Sequence, residues 1–223
     1  NNNNTDKNNN TNNDNNSNSN TNDGSSNTNG INDCSKVVAK SPISACSISL
    51  ASKEPYTKIY PYADITVGAV WSDWQNYPQG TPFDFSSILT ASGANGFTLA
   101  FIQEGGKCLP AWAGTAAMAA DSNVHWGREL ADKLRAKNAP YVVSFGGAAG
   151  TDLAYGCATD LDLADAYERV YKIYWPNGFD YDIEGALQMD TAATNKILSA
   201  IKIFQNNHAN VSITFTLPVM PEG

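Results

Sequence analysis

The feature that most constrains the fold is a regular alternation of strand-like and helix-like segments over residues 56–223. Short apolar runs, typical of strands, alternate with segments in which apolar residues recur every three or four positions, as on one face of a helix. Strands that alternate with helices form a parallel sheet with right-handed crossovers, so an α/β fold is predicted. The predicted strands cover residues 63–71, 96–102, 141–145, 178–184 and 211–217, and the predicted helices lie near residues 85–94, 126–134, 160–174 and 197–204.

A doubly wound sheet and a (β/α)8 TIM barrel both fit this alternation. No GxGxxG segment follows any of the strands, which disfavours a dinucleotide-binding Rossmann fold. The fourth predicted strand carries three acids at alternate positions, and inward acids on a central strand suit the layered interior of a barrel. Because a barrel takes about 250 residues, we expect residues 56–223 to hold only about the first five βα units, with roughly three units absent.

The sequence before the predicted barrel differs sharply in composition. Of the first 30 residues, 16 are Asn. Such a segment buries too little apolar surface to offset the entropy of ordering, so residues 1–33 are predicted to be a disordered linker. Residues 34–55 are then a connecting segment, and residues 56–223 are the partial barrel.

Charge and cysteine content exclude several classes of function. The net charge of −8 and the pI near 4.6 argue against a nucleic-acid partner, and no apolar run is long enough to suggest a membrane span. The four cysteines show no CxxC spacing and no nearby His pair, which argues against a zinc site. Disulfides and a secreted, extracellular protein are predicted instead.

The acids of the fourth strand are Asp180, Asp182 and Glu184. With the period of two that a strand imposes, these three share one face, while Phe179, Tyr181 and Ile183 share the other. Carboxyls that crowd together in a covered interior raise one another's pKa and keep one of them protonated, as a general acid requires. A solvated edge strand or a divalent-cation site is the alternative interpretation of this octapeptide.

Two motifs together resemble the family 18 glycoside hydrolases, the chitinases and their relatives. The family pattern SxGG at the end of the third strand is similar to residues 144–147 here, with Ser144, Gly146 and Gly147. The family pattern DxxDxDxE at the end of the fourth strand is similar to residues 177–184, except that Asn177 replaces the first acid. In the family that first position faces the bottom of the barrel, so we expect a structural effect and no loss of chemistry.

The resemblance implies a substrate and a mechanism. The substrate would be chitin or chitooligosaccharides, cleaved with retention and without a cofactor, and the full-length protein would be a monomer. Glu184 would act as general acid and then as base, while the 2-acetamido group of the substrate would act as nucleophile. Asp182 would hydrogen-bond the acetamido N–H, and Asp180 would share a proton with Asp182.

A chitin-binding groove also needs flat apolar surfaces. Trp71 and Trp74, after the first strand, and Trp112, after the second, are the candidates for stacking on sugar rings. Ser144, Gly146 and Gly147 are assigned to the substrate-binding end of the sheet, with Ser144 a hydrogen-bonding residue of the interior and no nucleophile. Trp126 and Trp175 lie on or beside predicted helices and are assigned to the core.

The cysteines allow three pairings. Cys108 and Cys157 follow adjacent strands, so their loops are expected side by side at the active-site end, where a disulfide would brace the groove. Cys34 and Cys46 then form the remaining pair.

Three other functions are weighed against chitin hydrolysis. A silent, lectin-like relative would bind chitin without cleaving it, although such relatives usually lose the final acid, which is present here. An inactive fragment of a chitinase is a second alternative. A metal-dependent hydrolase is the third, but ligands on one strand face do not easily surround a single ion.

Overall fold

A parallel sheet organises the part of the chain that the structure describes. The computed structural model describes residues 58–73, 75–77 and 79–219. The disordered-linker prediction, the 34–55 segment, the Cys34–Cys46 pair and Trp74 lie outside the described residues. The strands are β1 (Tyr62–Asp64), β2 (Phe97–Glu104), β3 (Pro110–Trp112), β4 (Tyr141–Gly146), β5 (Gly178–Asp182) and β6 (Ser212–Thr216).

The helices connect these strands in the way that a βα repeat requires. They are α1 (Leu89–Ser92), α2 (Arg128–Ala136), α3 (Leu153–Gly156), α4 (Asp160–Tyr174) and α5 (Thr191–Asn207), with 3-10 turns at Phe85–Ile88, Ala116–Met118 and Gly185–Met189. The order of the parallel strands is β1-β2-β4-β5-β6, which is also their order along the chain. Sequential parallel neighbours with helical crossovers form a TIM-barrel-like α/β fold, as predicted.

The core lies between the sheet and the helices. On β5, Phe179 is fully buried and Tyr181 is 3% exposed, and both pack against Phe145 of β4. On α4, the stripe of apolar side chains that begins at Leu163 and ends at Tyr174 is buried against the same layer. The acids of β5 therefore face the opposite side of the sheet, which is the side enclosed in a barrel.

Local sequence signals explain where the longest helices begin. Thr159 and Asp162 cap each other's backbone N–H groups at the start of α4, which is a capping box. Asp190 caps α5 by accepting a hydrogen bond from the backbone N–H of Ala193 at 2.9 Å. In the described part of the chain, no helix combines the length and the apolar character needed to cross a bilayer.

Two predicted elements differ from the observed ones. The first strand ends at Asp64 instead of continuing to residue 71, because the chain turns at residues 65–68 and Gly68 has a φ of 78°. The predicted long loop after β2 instead contains β3, which pairs antiparallel with the end of β2. Only three residues form β3 and all three are buried, so the local pattern shows no alternation that would reveal it.

Asn177 hydrogen-bonds the neighbouring strands at the amino-terminal end of β5, which is the bottom end of the sheet. Its side-chain oxygen accepts a hydrogen bond from the backbone N–H of Tyr141 at 3.0 Å. Its backbone N–H donates to the carbonyl of Tyr141, and its own carbonyl accepts from the N–H of Ser212. This residue therefore links β4 and β6 through the start of β5, at the end of the strand opposite Asp182.

Candidate active site

The candidate site lies at the carboxyl ends of β4 and β5. Period-two geometry sends Asp180, Asp182 and Glu184 to the enclosed face of the sheet, as predicted. Asp180 and Asp182 are 4% and 5% exposed. Glu184 is half-buried and follows the strand in an extended conformation, with φ −127° and ψ 170°. The ladder continues as far as Ile183, whose N–H donates to the carbonyl of Thr216.

Hydroxyl groups from three other strands surround Asp180. Tyr62 of β1 and Ser144 of β4 donate to its Oδ2 at 2.6 and 2.8 Å. Thr214 of β6 donates to Oδ1 at 2.8 Å, and Thr216 lies 3.2 Å from the same oxygen. Every partner is a donor, which suits an acceptor-only carboxylate. Asp180 is therefore an anchored group that joins both outer strands to the middle of the sheet.

Asp182 has quite different surroundings. Burial raises the pKa of Asp182 to about 7, and the charge of Glu184, a hydrogen bond with Glu184 and the charge of Asp180 add to the effect. Its Oδ1 is buried and has no hydrogen-bond partner among the described residues. Asp182 can therefore hold a proton near neutral pH and still accept a hydrogen bond from a bound molecule. The closest electrostatic partner of Asp182 is Glu184, and the hydroxyl groups engage Asp180 instead.

The glycines after β4 let the chain pass close to β5. Gly146 and Gly147 have φ values of 94° and 93°, a region that side chains disfavour. A Cβ on Gly146 would lie 2.3 Å from the carbonyl oxygen of Asp182, and a Cβ on Gly147 would lie 3.1 Å from the ring of Phe101. The backbone N–H of Gly147 donates to that same Asp182 carbonyl at 3.0 Å. Both glycines are thus required by close contact beside the acids.

A small cavity opens next to Glu184. Its volume is about 180 Å3, and Gly146, Gly147, Asp182 and Glu184 all line it. Its remaining wall comes from residues 148, 150–152, 155 and 185–187. Across residues 58–73, 75–77 and 79–219, no group of three or more His, Cys, Asp and Glu side chains is arranged to hold a metal ion.

The predicted binding residues differ in their exposure and contacts. Trp71 is 56% exposed and follows β1, so it remains a candidate surface for stacking. Trp112 is wrong as a groove residue, because it is fully buried and its indole N–H hydrogen-bonds the Trp126 carbonyl and the Tyr174 hydroxyl. The Ser144 side chain is also fully buried and contacts Asp180, so it supports the acid and does not line the cavity.

The two tryptophans assigned to the core also differ. Trp126 is 2% exposed, and its indole N–H donates to the carbonyl of Gly80 at 2.7 Å. Trp175 is 61% exposed, so its assignment to the core is wrong. Its backbone has a φ of 54° at the end of α4, and this left-handed turn carries the side chain away from the helix face that packs on the core.

The predicted disulfide is confirmed. Cys108 and Cys157 are bonded, with 4.4 Å between their Cα atoms. The bond joins the hairpin between β2 and β3 to the segment after β4. It therefore ties together the loops that follow β2 and β4.

Sequence reasoning missed four residues that build the site. Tyr62 lies at the start of β1, and only the register across the sheet brings its hydroxyl to Asp180. Thr214 and Thr216 alternate along β6, a period-two polar pattern that could have indicated a shared inward face. Gln103, at the end of β2, donates its side-chain N–H to the carbonyl of Gly146 at 2.8 Å and so holds the glycine turn in place.

Comparisons with known proteins agree with the motifs. The chain is 28% identical over 160 residues to a probable bifunctional chitinase/lysozyme of Escherichia coli (strain K12), a match that covers 69% of this chain and 17% of that protein. It is similar to active domain 2 of a chitinase from Pyrococcus furiosus, solved as catalytic site mutants, with a TM-score of 0.57 and 26% identity over 74% of this chain and 47% of that one. Catalytic site mutants of the same domain, complexed with chito-oligosaccharides, align with a TM-score of 0.54 and 25% identity, again over 74% and 47%.

No family model matches the chain. The chain spans about half the length of the solved chitinase domains and less than a fifth of the curated relative. The two motifs stand at the ends of adjacent parallel strands in a barrel-like fold, and the similar proteins are chitinases. The motifs, the fold and these similar proteins together support a family 18 chitinase-like assignment for the chain.

Proposed function

We propose that the protein containing this chain is a chitinase, which hydrolyses β-1,4 bonds between N-acetylglucosamine units with retention. The observation that carries the proposal is the pair Asp182 and Glu184 at the end of β5. Asp182 is buried, has its pKa raised to about 7 beside Glu184, and keeps one oxygen without a partner. The chito-oligosaccharide complexes of the similar Pyrococcus furiosus domain support the substrate class.

The first step breaks the glycosidic bond with help from the substrate itself. Glu184 donates a proton to the glycosidic oxygen, and the carbonyl oxygen of the 2-acetamido group attacks the anomeric carbon as the leaving sugar departs. Asp182 Oδ1 accepts a hydrogen bond from the acetamido N–H, which aims the carbonyl and offsets the positive charge of the oxazolinium ion. Asp180 is fixed by its four hydroxyl contacts, and its charge helps to raise the pKa of Asp182.

The second step returns the carboxyl groups to their starting state. Glu184, now ionised, accepts a proton from water as the water oxygen bonds to the anomeric carbon. The bond between that carbon and the acetamido oxygen breaks, so the product has the configuration of the substrate.

The placement of the acids favours this route over a carboxylate nucleophile. In retaining enzymes that use a protein nucleophile, the two carboxyls lie about 5–5.5 Å apart and flank the scissile bond. Here Asp182 and Glu184 come from one strand end and share a hydrogen bond. Both therefore approach a bound sugar from the same side, which suits proton transfer and acetamido positioning.

The Glu184→Gln substitution tests the proposal in the full-length protein. We expect the turnover of chitotetraose to fall by at least roughly 100-fold, because the amide cannot protonate the leaving oxygen. Glu129→Gln is the matched control, since Glu129 is an exposed carboxylate on α2, and it should keep wild-type turnover. Product anomers, followed by NMR spectroscopy during the first turnovers, should be β.

Other outcomes would change the assignment. Wild-type turnover by the Glu184→Gln variant would remove Glu184 from the acid role. Tight chitooligosaccharide binding with no turnover by the wild-type protein would favour a lectin. Loss of activity in EDTA would favour a metal-dependent hydrolase.

We also propose an oxidising, extracellular setting for this protein. The Cys108–Cys157 bond supports it, because such bonds persist mainly in secreted proteins.

A further inference from the structure

Gln103, at the carboxyl end of β2, is a buried polar residue that takes no part in the two reaction steps. It is 7% exposed, and its side chain reaches the segment that follows β4. Among the described residues, those that line the cavity beside Glu184 do not include Gln103. Any effect of Gln103 on a ligand in that cavity must therefore pass through other residues.

The amide of Gln103 holds two points of the turn after β4. Its Nε2 donates to the carbonyl of Gly146 at 2.8 Å and also to the carbonyl of Ala149. A primary amide has two N–H donors, so each carbonyl can receive one. A Cβ on Gly150 would overlap Gln103 Oε1. The glycine at that position therefore leaves room for the amide.

The backbone beside Gln103 supports the same turn. The strands β2 and β4 are parallel neighbours, so their carboxyl ends lie side by side. The backbone N–H of Glu104 donates to the carbonyl of Thr151 at 3.0 Å. The end of β2 thus holds the turn through three carbonyls, and the Gln103 side chain supplies the donors for two of them.

The turn in its place holds the backbone of Asp182. Gly146 pairs with Asp182 in the register of β4 and β5, and the N–H of Gly147 donates to the Asp182 carbonyl at 3.0 Å. Asp182 Oδ1 has no hydrogen-bond partner among the described residues, whereas hydroxyl groups engage both oxygens of Asp180. The orientation of the Asp182 carboxyl therefore depends on its own backbone and on Glu184, and the turn fixes the backbone.

We propose that Gln103 is a positioning residue for Asp182: by holding the turn at Gly146 and Gly147, it keeps the Asp182 carboxyl oriented toward the acetamido group of the substrate. This inference rests on the proposed function. An amide suits the position because both carbonyls of the turn need donors. A carboxylate would bring acceptors to the same two oxygens, and an apolar side chain would remove their partner.

The Gln103→Met variant of the full-length protein tests the role, since Met has a side chain of similar length and removes both donors. We expect kcat for chitotetraose to fall by roughly tenfold, because a small displacement of a catalytic group is costly. KM should stay within about threefold of wild type, because other residues line the cavity. A purely structural role would reduce the folded fraction and leave kcat per folded molecule unchanged.

The Gln103→Glu variant adds a readout in pH. A protonated carboxyl offers one O–H donor to the turn, whereas the ionised form offers none. Burial against carbonyl oxygens favours the protonated form and so raises the pKa of this carboxyl. The ratio of variant to wild-type kcat should therefore be highest at pH 5 and should fall as the pH rises to 8. The same ratio for Gln103→Met should be constant.

The charged groups around the turn do not favour an added negative charge. Glu104 is the next residue on β2, Asp182 lies across the turn, and Asp152 lies beside Gly146. Lys196 of α5 is engaged with backbone carbonyls of α3 and of the residue that follows it. The carboxyl introduced by Gln103→Glu therefore meets like charges when it ionises, which adds to the effect of burial.

A control and a second measurement separate this role from general disturbance. Gln205→Glu makes the same chemical change at an exposed position of α5, so its kcat ratio should stay constant with pH. Hydrogen exchange, followed by mass spectrometry, should be at least roughly tenfold faster in residues 146–151 of Gln103→Met than in wild type, and unchanged in α4. This measurement does not depend on activity.

The outcomes distinguish the two proposals. Wild-type kcat per folded molecule in Gln103→Met, or unchanged exchange in residues 146–151, would overturn the role of Gln103 alone. A kcat ratio for Gln103→Glu that stays as constant with pH as that of Gln103→Met would do the same. A wild-type protein that does not cleave chitotetraose would overturn the proposed function, and this inference with it.

Discussion

Asp180 and Asp182 lie two positions apart on the same face of β5, and yet their surroundings differ. Asp180 is surrounded by hydroxyl donors from β1, β4 and β6. Asp182 has the Glu184 carboxyl as its nearest charged neighbour, and burial raises its pKa to about 7. Two identical side chains thus differ because one is placed among donors and the other beside a like charge.

The raised pKa of Asp182 predicts a cost to stability as the pH rises. Between the ordinary Asp value of 3.8 and about 7, the folded state binds more protons than the unfolded state, so stability falls across this window. Asp182→Asn removes the titrating group. We expect the melting temperature of the variant, relative to wild type, to increase from pH 4 to pH 8, while turnover is lost.

The Asp165→Asn variant is the control that attributes the pH dependence of stability to the buried Asp182. Asp165 is 70% exposed on α4, and the melting curves of Asp165→Asn should follow wild type at every pH. Parallel pH dependence for Asp182→Asn and wild type would show that Asp182 does not carry the raised pKa.

At the scale of elements, the candidate site forms where the carboxyl ends of β4 and β5 lie beside the segment after β4. Gln103 and the glycine turn hold that segment against β5, while the disulfide and Lys196 hold α3. Asp180 and Asp182 are on a strand, which positions side chains more rigidly than a loop does. The cavity wall that Tyr155 of α3 lines, in contrast, depends on cross-links between loops.

Removing the disulfide should loosen that wall. The bond closes a loop with a sequence separation of 49, and the chain-entropy model assigns a loop of this size roughly 4 kcal/mol. We expect the Cys108→Ser/Cys157→Ser double variant to lower the free energy of unfolding by about 2–4 kcal/mol. Urea unfolding with and without reductant measures this, because reductant should destabilise the wild type and not the variant.

The same variant separates the wall from the acids. The KM for chitotetraose should rise more than kcat falls, since α3 lines the cavity and β5 carries Asp182. A fall in kcat as large as the rise in KM would show that the disulfide supports the acids as well.

Prediction from the sequence worked where the signal is local and periodic. The alternation along residues 178–184 places the acids on one face, and the apolar stripe of α4 ends where the structure ends it. It failed where a residue's environment depends on distant partners. Trp112 is buried because it packs against Trp126 and Tyr174, and Tyr62 reaches Asp180 because of the register across the sheet.

At the scale of the whole molecule, α4 and α5 form the outer wall behind β5. His208, at the end of α5, hydrogen-bonds Glu168 of α4 at 2.6 Å and packs its ring on Phe204 and Tyr171. Burial alone would raise the pKa of Glu168, but hydrogen bonds from His208 and Lys172 lower it overall. This contact joins the two longest described helices.

The lowered pKa of Glu168 predicts acid sensitivity of the packed helices. A carboxyl with a lowered folded-state pKa stabilises the fold above its ordinary value of 4.5 and loses that contribution as the pH falls through the folded value. Glu168→Gln should therefore cost less than about 1 kcal/mol at pH 7 and nothing at low pH. Thermal unfolding from pH 3 to pH 7 measures this. A difference that persists at low pH would show that the loss comes from packing.

The Asn177 contact gives the sheet two ends that respond differently to acid. At the end near Asp182, the net charge of the acids changes with every proton gained or lost. At the other end, the amide of Asn177 accepts the N–H of Tyr141 without being able to titrate, whereas an aspartate there would bring a further charge to the same strand. The anchoring end thus keeps its hydrogen bonds at any pH, and only the end where substrate would bind is tuned by protons.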